Sequence, residues 1–216
     1  MKKFSLALLL LGTMALPATT SAAPIVVSGT TTIALGDVND LDHHNAYTRR
    51  RDFVTIADGQ QLVAAQLHIE NIANWDSNEN RLFMWLFDTA INATTASIVD
   101  DAVQGNADDI SDYFAGTPTG LVAAGTAGVK LTEASFTTSA VDFDYAFNAG
   151  QVSALASYIA NGSNFALAFD PDCHYWNDGV SLILTTRPRQ VPEPASLSLL
   201  ALALAGAASA RRRARR

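Results

Sequence analysis

Asp52-Phe53-Val54-Thr55-Ile56-Ala57-Asp58-Gly59-Gln60-Gln61-Leu62-Val63-Ala64-Ala65-Gln66-Leu67-His68-Ile69-Glu70 contains two β-prone runs around a turn signal. Asp-Gly supplies the positive-φ geometry of a tight reversal, so residues 52–56 and 62–70 read as the arms of a hairpin. In the second arm Val63, Ala65, Leu67 and Ile69 oppose Leu62, Ala64, Gln66, His68 and Glu70, which makes one face more apolar than the other. Outward from this pair, Ile25 to Leu35 is rich in Val, Ile and Thr. Arg81 to Phe87 is apolar almost throughout, as in a strand covered on both faces. Further strands are expected at 129–133, 141–147, 164–170 and 180–186. One helix stands out: Asn148 and Gln151 form a capping-box start, Val152, Leu155, Ala156 and Ile159 share a face, and Asn161-Gly162 is the stop signal. A shorter helix is expected over 108–114. Strands in this number with one or two short helices imply an all-β domain, an antiparallel jelly-roll-like β-sandwich over residues 23–190.

The chain has 216 residues, 49% hydrophobic and 16% charged, too apolar for disorder and too interrupted for a polytopic membrane protein. Its charge is unevenly placed. Residues 23–190 hold 7 basic and 20 acidic side chains, a net charge of −13 against −7 for the whole chain. Such a field repels phosphate backbones and anionic lipid, which argues against nucleic acid as a partner and leaves cations or neutral ligands. The one cysteine, Cys173, excludes an intramolecular disulfide and is expected as a buried free thiol.

The two ends carry addresses. Met1-Lys2-Lys3, the apolar run from Phe4 to Leu11 and the small residues Thr20-Ser21-Ala22 have the three-part order of a secretory signal peptide, expected over 1–22 and removed by signal peptidase. Residues 191–216 begin with Val191-Pro192-Glu193-Pro194, continue without charge from Ala195 to Ala210 and end in Arg211-Arg212-Arg213-Ala214-Arg215-Arg216. The uncharged stretch reads as a single apolar helix somewhat shorter than the ~20 residues of a comfortable span. The arginines would stay cytoplasmic and the domain would face outward. This segment resembles the bacterial PEP-CTERM sorting signal on Pro192, Glu193, Pro194 and the arginines Arg211, Arg212 and Arg213, although no aromatic residue follows Pro194, where many members carry one. The resemblance implies an exosortase as processing partner, a Gram-negative host and transient anchoring in the inner membrane. Delivery to the cell surface or the exopolysaccharide matrix would follow. The stretch Phe165 to Gly179 is also similar to domains of other PEP-CTERM proteins, a resemblance that carries no activity.

Two polar regions are candidate sites. Asp170, Asp172, Asn177 and Asp178, with His174 among them, fall between two expected strands in a loop longer than a hairpin needs. Calcium takes six to eight oxygens, and these residues are its candidate ligands, although the EF-hand spacing is absent and Asn177-Asp178-Gly179 is also an ordinary turn. Gly36 to Asp42 begins like a calcium loop but puts Leu41 where the third oxygen should stand. With 52–56 and 62–70 as neighbours, the connections 37–51 and 71–80 emerge at one end of the sandwich. The second holds Trp75 and Asp76 among Asn74, Asn78, Glu79 and Asn80, a candidate site for either a structural cation or a sugar ring stacked on the indole. His43, His44 and His174 make a poor zinc set, because adjacent side chains diverge on an extended chain. Arg49, Arg50 and Arg51 are expected to pair internally, with Asp52 the nearest acid.

No nucleophile elbow, zinc-protease helix motif or phosphate loop is present. Carboxylates are abundant enough for glycoside hydrolysis, but no pair is singled out by spacing. The expected function is therefore that of an exported surface or exopolysaccharide-matrix protein with a non-catalytic sandwich that binds glycan or calcium. An exported hydrolase of matrix polysaccharide is the alternative.

Overall fold

The computed structural model describes residues 23–36, 41–42, 45–89, 98–100, 111–116, 121–122, 125–190 and 211. The expected signal peptide, the Pro192-Glu193-Pro194 segment, the apolar helix and Arg212 onward lie outside the described residues, as do Asp37, Asp40, His43 and His44. Among the described residues no helix is long and apolar enough to cross a membrane.

Among the described residues the chain is predominantly β, with one short helix. In order the elements are β1 (Ile25–Val27), β2 (Thr30–Gly36), β3 (Asn45–Arg51), β4 (Val54–Ile56), β5 (Gln60–Asn74), β6 (Leu82–Phe87), β7 (Ile98–Asp100), β8 (Gly128–Ala134), β9 (Val141–Ala146), α1 (Ala149–Gly162), β10 (Phe165–Pro171), β11 (Tyr175–Trp176) and β12 (Gly179–Pro188). One sheet has the order β7-β3-β10-β6-β8; in the other β5 lies between β9 and β12, and β12 pairs on to β2. All pairs within these two sheets are antiparallel.

Alternation along the strands builds the core between the sheets. Ala65, Leu67 and Ile69 of β5 and Val180, Leu182 and Leu184 of β12 are buried from one side, against Leu82, Met84 and Leu86 of β6 and Phe165, Leu167 and Phe169 of β10 from the other. The other face of β10 and β6 is covered too: Ala166, Ala168 and Phe87 pack with Phe114, Leu121 and Val122. That second layer is why β10 is buried along its whole length, and it meets the expectation that 81–87 is covered on both faces. Its packing is tight, since a Cβ on Gly128 would lie 2.3 Å from the Phe87 ring.

The helix forms where its signals stand. The Asn148 side chain accepts from Gln151 N at 3.0 Å and the Gln151 side chain accepts from Asn148 N at 2.9 Å, which satisfies two of the helix's otherwise orphaned donors. Val152, Leu155 and Ile159 are buried as expected. The end comes one residue later than the Asn161-Gly162 signal, at Ser163, whose left-handed backbone (φ 53°) returns its N–H to the Ile159 carbonyl at 2.9 Å.

The hairpin at 52–70 is not what the turn builds. Ala57 O accepts from Gln60 N at 3.0 Å, so the reversal exists, but β4 pairs in parallel with β1, from Ile25 opposite Val54 to Val27 opposite Ile56. β5 pairs instead with β12, whose Pro188 stands opposite Gln60, and with β9. The expected single strand at 25–35 is likewise two, broken at Gly29 with φ 64°. The arginine run, expected within the 37–51 connection, forms β3. Residues 113–116 form a turn, and the rest of the short helix expected at 108–114 falls largely outside the described residues.

Candidate functional site

Half of the expected loop 170–179 is strand. Asp170 and Pro171 complete β10, and Tyr175 and Trp176 already pair with Asn74 and Ala73 of β5. Gly179 pairs with Glu70 in the same register, and Tyr175 bridges Leu41 on its other side as Val180 pairs with Gly36. β11 is thus the beginning of β12, and only Asp172-Cys173-His174 carries the chain from one sheet to the other. Period-two alternation then sorts the side chains. Tyr175 and Asn177 are buried, whereas Trp176 and Asp178 are exposed and His174 is half-exposed.

This sorting separates the candidate calcium ligands. Asp170 is fully buried on the outer face of its sheet, in line with Ala166 and Ala168, and its Oδ2 accepts from Tyr113 N at 2.7 Å. Asp172 turns back to β6: its Oδ1 accepts from Arg81 N, and its own N–H donates to Arg81 O at 3.0 Å. Burial pushes the Asp172 carboxyl up to about 6 despite that hydrogen bond. Asp178 Oδ2 accepts from Asn71 Nδ2 at 2.7 Å. Among the described residues no three His, Cys, Asp or Glu side chains gather where they could hold a metal ion.

Of the two expected connections, 45–51 and 71–74 are strand and the hairpin that was to bring them together does not form, but Leu41, Asp42 and residues from Trp75 onward do lie at one end of the molecule. Leu41 exchanges backbone hydrogen bonds with Tyr175 at 3.1 and 3.0 Å, Trp75 N donates to His174 O at 3.0 Å, and Asn74 N donates to Thr137 O at 2.8 Å. Four connections therefore converge here, each continuing from a different strand pair. The 75–81 connection is built around Asp76. Asn78 N and Asn80 Nδ2 both donate to Asp76 Oδ1 at 2.9 Å, Asn78 Nδ2 donates to Oδ2 at 2.6 Å, and Asn80 Nδ2 also reaches Asn74 Oδ1 at 3.0 Å. Asp76, a candidate ligand-binding residue, thus holds its own loop in shape.

That loop presents Trp75, the other candidate, with 61% of its surface exposed. Trp75 is not alone. His174 stands across the strand pair from it, ring centroids 6.0 Å apart, and Trp176, 49% exposed, lies two residues farther on the same face, 6.4 Å from His174 with the planes 27° apart. The small Ala73 opposite Trp176 leaves that indole uncovered. Asp42 Oδ2 lies 3.6 Å from His174 Nε2, and Asp42 N donates to the Tyr47 hydroxyl at 2.9 Å. Behind the row Tyr175 is fully buried and meets Phe136 edge-on at 5.7 Å, so the platform rests on core packing. A cleft lies alongside, between Asp76 to Glu79 and Ser135 to Thr138, with Phe136 in its wall.

Trp176, His174 and Asp42 join Trp75 only through the fold. The available signal was the i, i+2 spacing of His174 and Trp176, which is legible once 175–176 is taken as strand. The row offers apolar faces rimmed by hydrogen-bonding groups, a surface for stacking and orientation. The adjacent thiol of Cys173 is pushed up by burial and by the nearby carboxylates Asp76, Asp172 and Asp42, which disfavours the nucleophilic thiolate. Of the basic cluster, Arg50 pairs with Asp52 at 2.6 Å, as expected, and Arg51 donates to Ala34 O at 2.8 and 3.0 Å.

Residues 190–213 match the PEP-CTERM protein-sorting motif. No curated protein and no solved structure matches the chain.

Proposed function

We propose that this chain, which the sorting motif marks as an exported, exosortase-processed protein of the surface, is a jelly-roll-type sandwich that holds carbohydrate of the extracellular matrix without cleaving it. The exposed row Trp75, His174 and Trp176 carries the reading. Indoles are costly to leave in water, and neither of these has a covering element among the described residues. Sugar rings present C–H faces that pack on indoles and hydroxyls that reach adjacent carboxylates, here Asp42. The eight long strands support the jelly-roll reading: in chain order β2, β3, β5, β6, β8, β9, β10 and β12 form two sheets ordered β2-β12-β5-β9 and β3-β10-β6-β8, as in two interleaved Greek keys. On this reading the signal peptide and the segment beyond Pro194 are removed in a Gram-negative host after a stay in the inner membrane, and the mature protein meets exopolysaccharide at the surface.

The test is titration of exopolysaccharide from the host matrix into the purified protein, with tryptophan fluorescence as readout and an assay for new reducing ends in the same tubes. Binding that Trp75→Ala and Trp176→Ala each weaken, with no turnover, is expected. Turnover would replace the reading with the hydrolase. Intact-mass analysis of surface material tests the sorting half, which predicts a chain without residues 1–22 and without Arg211 to Arg216.

A further inference from the structure

We infer that the ligand of this row is a cationic glycan, a polymer of amino sugars with free ammonium groups; the inference rests on the carbohydrate reading above. The aromatic faces alone would take neutral sugars equally well, so the choice lies in the charges beside them. Asp42 touches His174, the middle ring, and is partly exposed. Asp76 follows Trp75 directly, Glu79 on the same loop is 81% exposed, and Asp178 is exposed two residues beyond Trp176 on the same side of the strand. The basic side chain on the 75–81 connection is Arg81, which lies 2.9 Å from Glu133 and 3.9 Å from Glu79, so its charge is already answered by two acids. The local field is therefore negative, within a domain of net charge −13.

An ammonium group gains twice in such a place. It is attracted to the electron-rich indole face, and to carboxylates that are not fully desolvated and so need not give up their water to meet it. A uronic or sulfated sugar would be repelled by the same groups. A neutral sugar would be neither attracted nor repelled.

The experiment compares three probes of equal length on the purified protein: a fully deacetylated glucosamine oligosaccharide, its N-acetylated counterpart and a glucose oligosaccharide with the same linkage. The deacetylated probe is expected to bind about tenfold tighter than either neutral one at low salt, from one or two cation–π and exposed ion-pair contacts. That preference should collapse in 0.5 M salt and in the double variant Glu79→Gln with Asp178→Asn, both of which leave neutral-sugar binding in place. Trp75→Ala and Trp176→Ala should weaken all three probes. Equal affinity for all three overturns the inference and leaves the carbohydrate reading standing. Failure of all three to bind overturns both. Tight binding of the deacetylated probe that survives loss of both tryptophans means diffuse attraction to an acidic protein, and it also overturns the inference.

Discussion

Tryptophan meets carboxylate at two places in this molecule, with opposite outcomes. On the outer face of the first sheet Trp85 stacks on Phe87 at 5.8 Å and donates its Nε1–H to both oxygens of Asp112 at 3.0 and 3.1 Å; Lys130 answers the charge of Asp112 at 3.2 Å. The indole N–H and the Asp112 carboxylate are both partnered inside the protein there, beside the buried Phe87 and Phe114. At the loop end Trp75 and Trp176 are exposed, and Asp76 spends its hydrogen bonds on its own loop. The same residue types act as mortar in one region and remain available to a ligand in the other. The difference lies in whether another segment of the chain covers the ring.

Stability measurements can break this comparison. Trp85→Ala should cost about 3 kcal/mol, because it removes buried contacts and leaves Asp112 without its indole donor; a denaturant midpoint near wild type would show the second layer to be loose. Gly128→Ala probes the same layer from below. Its new methyl would press on the Phe87 ring at 2.3 Å, and overpacking of this kind should cost about 2 kcal/mol.

Asp172 sharpens the contrast from the loop end. Its folded carboxyl titrates at about 6, above the ~3.9 of an unfolded aspartate. Below pH ~3.9 both states are protonated and nothing is lost; between about 4 and 6 the unfolded chain ionises first, so stability falls as pH rises and stays reduced above that window. Asp172→Asn keeps an acceptor for Arg81 N–H and removes the titration. It should stabilise the protein by about 1–2 kcal/mol at pH 8 and by almost nothing at pH 3.5. An unchanged melting temperature at pH 8 would mean that the carboxyl is better hydrated than its burial indicates.

The smallest effects are expected where function is proposed. Trp75→Ala and Trp176→Ala should change stability by no more than about 0.5 kcal/mol, the range of exposed positions; a larger loss would make these indoles structural like Trp85. Calcium belongs at the foot of the scale as well. With Asp170, Asp172 and Asp178 facing three different neighbours, Asp172→Asn with Asp178→Asn should leave any melting response to calcium as it was, and a response lost in that double variant would bring the three acids back as ligands.

What the residues determined by themselves is what short-range physics decides. The alternation of Val63 to Ile69 set which face of β5 is buried, the Asn148 and Gln151 side chains set where α1 begins, and the Pro-Glu-Pro, apolar and arginine segments marked the protein for sorting. Only the tertiary structure decided the pairings, because a strand edge accepts one neighbour and strands far apart in sequence compete for it. The Asp58-Gly59 turn reversed the chain, yet β4 pairs with β1, and β5 pairs with β9 and β12 from much later in the chain. The same competition placed Tyr175 and Trp176 beside Asn74 and Ala73, divided the four candidate calcium ligands between different faces, and brought Trp176 and His174, a hundred residues away in sequence, into one row with Trp75.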